Sequence, residues 1–384
     1  MRKTPLVLLA VLTSVVTGCS GGGSSSSGSP SSDPAAPGSP APATTVQRDC
    51  NAVYLGQFTP REKLAQLLTV GVSSAADAEN VVRTEQVGGI FVGSFTDKAF
   101  LANGQVPQVQ AAAKVPLMVT IDEEGGRVSR VKDLIGPAPS ARVTAATMTP
   151  EEFYQATLIR ARKLKDLGIT VDFAPDVDVS SEPDDAVIGD RSFSDDPQVV
   201  TDYARAYIRA MNEVGLGSVM KHFPGHGNGS GDSHQGAVRT PPLADLIAAD
   251  LAPYRDLADS GAAVMVGHLD VPGLTTPNVP ASISPEVMAL LRNGVGYGAA
   301  PFNGVIFTDD LSGMKAITAR MDIADAVQAA LTAGADNALW ITTAAVSEVL
   351  DQLEQAVTSG KLPIAQVDAS VLRLAKYKGI STQC

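Results

Sequence analysis

The chain has four histidines, and three of them fall within 13 residues: Lys221-His222-Phe223-Pro224-Gly225-His226-Gly227, followed by Asp232-Ser233-His234. Imidazoles titrate near neutrality and act as metal ligands or proton carriers. Histidine with carboxylate is a metal-ligand set, but the sequence has neither His-x-His on an early strand nor His-Glu-x-x-His, so no metal is expected. The glycines at 225, 227, 229 and 231 align with neither Gly-x-x-x-x-Gly-Lys-Ser/Thr nor Gly-x-Gly-x-x-Gly, which argues against a nucleotide or other cofactor. No Gly-x-Ser-x-Gly elbow occurs in the folded part, which argues against acyl transfer. What these glycines do supply is a mobile loop able to carry Asp232 and His234 over a pocket. An imidazole whose pKa is raised by a carboxylate such as Asp232 can donate a proton and then take one from water.

The other reactive groups follow short apolar runs. Asp122 follows Val119-Thr120-Ile121, Lys221 and His222 follow Gly217 to Met220, His268 and Asp270 follow Val264 to Gly267, and Asp309 and Asp310 follow Gly304 to Phe307. Eight runs read as strands: Leu67 to Val72, Gly89 to Gly93, Pro116 to Ile121, Thr170 to Ala174, Gly217 to Met220, Ala263 to Gly267, Val305 to Thr308 and Ala338 to Ile341. Unalternating Val/Ile/Leu-rich runs suit strands buried on both faces, and stretches such as Glu151 to Leu167 and Asp322 to Ala333 suit crossover helices. The expected fold is α/β, a single closed (β/α)8 TIM-type barrel, with a doubly wound open sheet as the second choice. In such a barrel the chemistry lies at the C-terminal ends of the strands, where these polar residues gather.

Five motifs in order resemble glycoside hydrolase family 3, in its β-N-acetylglucosaminidase branch. They are Ile121-Asp122-Glu123-Glu124-Gly125-Gly126-Arg127-Val128-Ser129-Arg130, Asp172-Phe173-Ala174-Pro175 with Asp178, Asp190-Arg191-Ser192-Phe193, the Lys221 to His234 block, and Thr308-Asp309-Asp310-Leu311. The resemblance implies that Asp309 is the catalytic nucleophile and that His234, paired with Asp232, is the general acid/base. It implies that Asp122, Arg130, Arg191, Lys221 and His222 hold the sugar on the non-reducing side of the cleaved bond. Retaining glycoside cleavage needs a carboxylate on one face of the anomeric carbon and a proton donor at the leaving oxygen. Asp310 is expected to serve packing and hydrogen bonding. Only 384 − 309 = 75 residues follow Asp309, too few for a second domain, so the donor must come from within the barrel. The chain departs from the family at Asn228-Gly229, read as added loop mobility, at Gly313, which adds a residue before Met314, and at Glu123, where Gln is frequent and only hydrogen bonding should be adjusted.

The ends of the chain bear on location. Arg2 and Lys3 precede a largely apolar run, Leu6 to Val16, too short to span a bilayer, and Val16-Thr17-Gly18-Cys19 follows. This resembles a lipoprotein signal peptide over residues 1–18, with Cys19 as the lipid attachment. Residues 20–45 are Ser, Gly, Pro, Ala and Thr with Asp33 as the one charge. Residues 19–48 are therefore expected to form a disordered tether, whose 20–45 stretch spans roughly 28 Å, ahead of a barrel domain at 49–384. Cys50 and Cys384 remain for a disulfide, with free thiols or an intermolecular bridge as alternatives.

With 29 Lys+Arg against 41 Asp+Glu the net charge is −12, which excludes a counterion-releasing nucleic-acid surface. The expectation is thus an exported, lipid-anchored, monomeric β-N-acetylglucosaminidase of the cell envelope. It would need no cofactor and would act on GlcNAc-containing muropeptides in cell-wall turnover. Two alternatives stand beside it: phosphorolysis at the same site, because a neutral histidine repels phosphate less than a carboxylate would, and a non-catalytic glycan-binding lipoprotein.

Overall fold

The computed structural model describes residues 49–382. Eight parallel strands close into a barrel: β1 (Leu68–Gly71), β2 (Gly89–Val92), β3 (Met118–Ile121), β4 (Val171–Asp172), β5 (Gly217–Phe223), β6 (Ala263–Val266), β7 (Ile306–Asp310) and β8 (Asn337–Trp340). They follow one another in chain order, and β8 pairs back onto β1 through Leu68 and Ala338. All eight expected strands are present, and closure rules out the open sheet. The main differences lie in β5, which continues through Lys221-His222-Phe223 rather than stopping at Met220, and in β7, which continues through Asp309-Asp310 rather than stopping at Thr308, so four reactive residues are strand residues. Two short ladders that the sequence reading did not anticipate lie outside the barrel wall: Glu123–Gly125 with Val128–Ser129, and Val238–Arg239 with Leu269–Asp270.

The crossover helices carry their own start and stop signals. The helix α1 (Pro150–Asp166) begins with a capping box between Thr149 and Glu152 and has proline in its first turn. The helix α2 (Pro197–Val214) is capped by Asp196 and ends at Gly215 in the left-handed region, φ 78°. The helix α3 (Ile323–Ala333) is capped by Asp322, which the sequence reading had counted as helical. Among the described residues no helix is long and apolar enough to cross a membrane.

Inside the barrel an aromatic column joins the two ends. Phe91 stacks on Phe173 at 5.8 Å, Phe173 meets Phe307 edge-on at 5.4 Å, and Phe307 meets Tyr377 at 6.2 Å. Tyr377 belongs to the last helix, α4 (Ile364–Tyr377), and donates to the Ser218 carbonyl at 2.9 Å, so this helix plugs the N-terminal end of the barrel. Cys50 is in a disulfide; Cys384, its expected partner, lies outside the described residues, as do Cys19 and the tether.

Asp336, at the start of β8, ties this end together. Its buried carboxylate accepts from the Ile306 N–H at 2.9 Å, Ser370 Oγ at 2.8 Å and Arg373 Nε at 2.8 Å, and it pairs with Arg292. Asp336→Ala leaves two arginines without a counter-charge and an N–H without an acceptor. A loss of about 3 kcal/mol is expected, at the low end for a broken buried pair because both arginines keep some solvent contact. Urea denaturation checks this; a midpoint equal to wild type would contradict the account.

Candidate active site

A cavity of about 310 Å³ opens at the C-terminal ends of the strands, with Phe91 and Phe173 among its inner lining residues. Two irregularities in the barrel wall shape it. Met220 and Phe223 of β5 pair with Val264 and Val266 of β6, so three steps on one strand face two on the other. Phe307 and Asp310 of β7 face Asn337 and Leu339 of β8 in the same way. Each is a one-residue bulge, and bulges re-aim side chains that strict alternation would send to opposite faces. Consecutive residues therefore line one cavity, Lys221 with His222 and Asp309 with Asp310.

The inner wall is a network of compensated charges. Lys221 Nζ lies 2.8 Å from Asp122 and 2.6 Å from Glu124. Glu124 also takes a two-point contact from Arg191, Nε and Nη2 each at 2.8 Å. Asp122 is 3.4 Å from Arg130. Burial alone would neutralise these groups, yet Arg191 and Lys221 hold Glu124 well below the usual carboxylate range, and Asp122 and Glu124 push Lys221 upward. His222 Nδ1 is 2.7 Å from Asp178, and its other ring nitrogen is 3.5 Å from Arg191. Burial disfavours the imidazolium, but Asp178 outweighs it and raises the His222 pKa. Asp178 also accepts the backbone N–H of His226 at 2.6 Å.

The neighbours Asp309 and Asp310 are split by their surroundings. Burial opposes ionisation of Asp309, but His222, His268, the Asp310 N–H at 2.9 Å and Lys221 bring its pKa below the ordinary value. Burial raises Asp310, whose carboxylate accepts from the N–H and Oγ of Ser312 and the N–H of Gly313 at 2.8 to 2.9 Å. Asp310 thus organises the turn after β7, as expected, and Gly313 is required there, because a Cβ would lie 2.3 Å from the Asp310 carboxylate. His268 donates or accepts at Ser282 Oγ (2.6 Å) and lies 2.8 Å from the Asp310 carbonyl, holding that backbone in place.

Residues 224–237 form the loop that carries Asp232 and His234. His234 Nδ1 is 2.8 Å from Asp232 Oδ1, which also accepts the His234 N–H at 2.9 Å. The His234 ring is 62% exposed and borders the same cavity as Asp309. The glycines expected to provide mobility differ in their surroundings, and Gly231, beside Asp232, has open space where a Cβ would lie. A Cβ at Gly227 would lie 2.0 Å from the Val179 carbonyl and one at Gly225 2.5 Å from Asp250, so these two glycines permit close packing. Asn228-Gly229 is pinned as well, by Asn228 to the Val179 carbonyl (3.2 Å) and by the Gly229 N–H to His226 (2.9 Å). Ser233 is buried; its carbonyl accepts from the Ala316 N–H at 3.0 Å, docking the loop on the segment that follows Asp309.

Comparison with known proteins places this geometry. The model of the glycosyl hydrolase family 3 N-terminal domain matches residues 59–377. A relative named Beta-hexosaminidase LpqI, from Mycobacterium tuberculosis, is 51% identical over 383 residues, 99% of this chain and 98% of that protein. A crystal structure of a family 3 glycosyl hydrolase from Mycobacterium smegmatis superposes with a TM-score of 0.82 at 56% identity, covering 86% of this chain and 98% of that one. A family 3 β-N-acetylglucosaminidase from Paenibacillus gives 0.78 at 31% identity, over 84% of this chain and 62% of that one. The chain belongs to glycosyl hydrolase family 3.

In this family 3 barrel Asp122, Arg130, Arg191, Lys221, His222, His234 and Asp309 all border one cavity, with Asp232 behind His234. Glu124, Asp176 and Asp178 join this site without a role expected from the sequence. Their signal was alternation: Glu124 is two residues from Asp122, and Asp176 and Asp178 are two apart, the spacing of groups on one face of an extended chain. Glu123 does more than adjust hydrogen bonds. It points the other way, is fully buried, accepts the Arg130 and Val131 N–H groups at 2.7 and 3.0 Å, and pairs with Arg160, a counter-ion that glutamine would not need. Asp176, Asp178 and His222 offer ligand atoms within 4.8 Å of one another. The Arg191 guanidinium, 3.4 Å from Asp176 and 3.5 Å from His222, already supplies a cation there. A larger cleft of about 710 Å³ lies among the strand starts at the opposite end of the barrel, and no histidine lines it.

Asp178→Asn removes the carboxylate from His222 while burial and Arg191 remain. The His222 midpoint is then expected to fall relative to wild type, where Asp178 raises it, with Asp176 at 4.0 Å left as the remaining nearby carboxylate. In wild type this interaction stabilises the fold fully below the unfolded pKa and is lost as pH rises through the raised folded value; the variant loses that dependence. Ring-proton NMR titration of His222 checks the sign, and an unshifted midpoint would remove Asp178 as the cause.

Proposed function

We propose that the enzyme is a retaining exo-β-N-acetylglucosaminidase that releases non-reducing terminal GlcNAc through a covalent bond to Asp309. The observation that carries this reading is that one cavity presents a buried carboxylate held in its ionised form and an exposed imidazole oriented by its own carboxylate. The likeness to a β-hexosaminidase and to a β-N-acetylglucosaminidase supports the acetamido sugar.

In the first step Asp309 attacks the anomeric carbon while His234, protonated, gives its proton to the departing glycosidic oxygen. In the second, His234, now neutral, takes a proton from water, whose oxygen attacks the same carbon and releases Asp309. Asp232 fixes which ring nitrogen faces the cavity by holding the other. Asp122, Arg130, Arg191, Lys221 and His222 hold the hydroxyl groups of the sugar, with Glu124 fixing the positions of Lys221 and Arg191. Asp309 needs no motion, because β7 and the hydrogen bonds of Asp310 hold its backbone.

The natural substrates in this reading are GlcNAc-β-1,4-MurNAc fragments of peptidoglycan, with or without peptide, and the role is cell-wall turnover. Support comes from the leader, whose Cys19 would carry lipid and hold the barrel in the envelope through the tether.

The reading predicts a strong preference for an aryl β-N-acetylglucosaminide over the matching β-glucoside, measured in EDTA; preference for the glucoside would overturn the substrate. Asp309→Ala should abolish turnover with an unchanged melting curve, and wild-type rates from this variant would discard the nucleophile. His234→Ala should slow alkyl and sugar leaving groups by about 100-fold or more, and activated aryl groups far less, because proton donation matters most for a basic leaving oxygen. Equal losses on both classes would count against an acid role.

A further inference from the structure

The inner end of the cavity is ionic, but its mouth carries an aromatic ring. Seven large apolar side chains are exposed among the described residues, and only Phe95, 45% exposed, borders this cavity. An isolated exposed apolar side chain needs no explanation. Phe95 differs in how firmly its turn is built. The Gly93 N–H donates to Thr96 Oγ1 at 3.0 Å, and that hydroxyl donates to the Val72 carbonyl at 2.6 Å. Lys98 Nζ donates to the carbonyls of Gly93 (2.6 Å) and Thr96 (2.8 Å), and the Asp97 N–H reaches Ser73 at 2.9 Å. The ring folds back over its own turn so closely that a Cβ at Gly93 would lie 2.2 Å from it. It leans on Phe91 at 6.5 Å between centroids, which supports one side and leaves the rest to solvent.

A phenyl ring left half in water forgoes part of its burial, and the bonded turn gives this one little freedom to turn inward. Its arrangement suits a ligand that arrives from solvent and brings an apolar face. A pyranose ring does so: its axial C–H bonds form a weakly positive, apolar face that fits the negative face of an aromatic ring. The sugar that becomes bonded to Asp309 must lie among Lys221, Arg191 and Asp122, so the sugar beyond the cleaved bond extends toward the mouth. We infer that Phe95 is a preformed stacking platform for the leaving-group sugar and sets the preference for glycans over small aglycones. This inference rests on the glycosidase reading above.

The test compares kcat/KM for the disaccharide GlcNAc-β-1,4-GlcNAc with that for methyl β-N-acetylglucosaminide. Both leaving oxygens are unactivated, but only the disaccharide reaches the mouth. Phe95→Ala should lower the disaccharide-to-methyl ratio about tenfold, equivalent to about 1.4 kcal/mol, with the loss mainly in KM. Phe95→Leu, which keeps apolar bulk without a ring, should also lower it, and Phe95→Trp should restore it. A ratio within twofold of wild type in Phe95→Ala, or equal losses on both substrates, overturns the inference. Wild-type inactivity on both glycosides would instead overturn the glycosidase reading beneath it.

Discussion

Lys221 is an ammonium group buried at the wall of a cavity, and the inner site depends on keeping it charged there. A buried cation is tolerated only when opposite charges and hydrogen bonds replace its lost water. Asp122 and Glu124 do this, and each is committed elsewhere, Asp122 to Arg130 and Glu124 to Arg191. Arg191 in turn faces Asp176 and His222, and His222 is held by Asp178. The network joins the end of β3, the segment after β4, the 3-10 turn at Gly189–Arg191 and β5. Its members fix one another's positions, so hydroxyl groups meet donors and acceptors that need little reorganisation on binding.

The same constraint explains why the backbone departs from regular geometry at two places. A regular strand offers one inward side chain in every two residues, and this site uses neighbouring residues on both β5 and β7. The bulges resolve that conflict. At β7 the result is two adjacent carboxyls shifted in opposite directions, Asp309 drawn toward ionisation by cationic neighbours and Asp310 raised by burial and given to the following turn. The Ser312-Gly313 turn and the docking of Ser233 on the segment beyond it connect the backbone of Asp309 to the loop of His234. The groups assigned as nucleophile and proton donor are therefore mechanically related although 75 residues separate them.

Stability and chemistry are divided between the barrel ends. At the N-terminal end Asp336 and the Tyr377 plug fasten the last helix to the strand starts, and the aromatic column runs from there to the cavity floor. At the C-terminal end the side chains are charged and compensated rather than apolar. This is the division expected of a barrel enzyme, whose strand ends can vary in chemistry while the strand starts preserve the fold.

Much of this was legible in the linear chain because it rests on local chemistry. Eight short runs of β-branched and apolar residues separated by helical stretches specify a parallel sheet buried on both faces, and reactive residues placed at the ends of four of them mark its functional end. The Asp232-Ser233-His234 pairing was implied by the family resemblance, and two residues of separation allow the carboxylate to reach both the N–H and the ring. Other features depended on contacts distant in sequence. Lys221 meets Glu124 across 97 positions, computed as 221 − 124, and the tight packing of Gly227 is defined by Val179. Composition reports what the Gly225 and Gly227 backbone may adopt, whereas Asp250 and Val179 decide how closely it packs. Residue types and local spacing determined the strands, the caps and the reactive groups. Only the tertiary structure decided their pairing, their charge states and the bulges that turn adjacent side chains into one cavity, because those follow from burial and from partners that sequence distance does not encode.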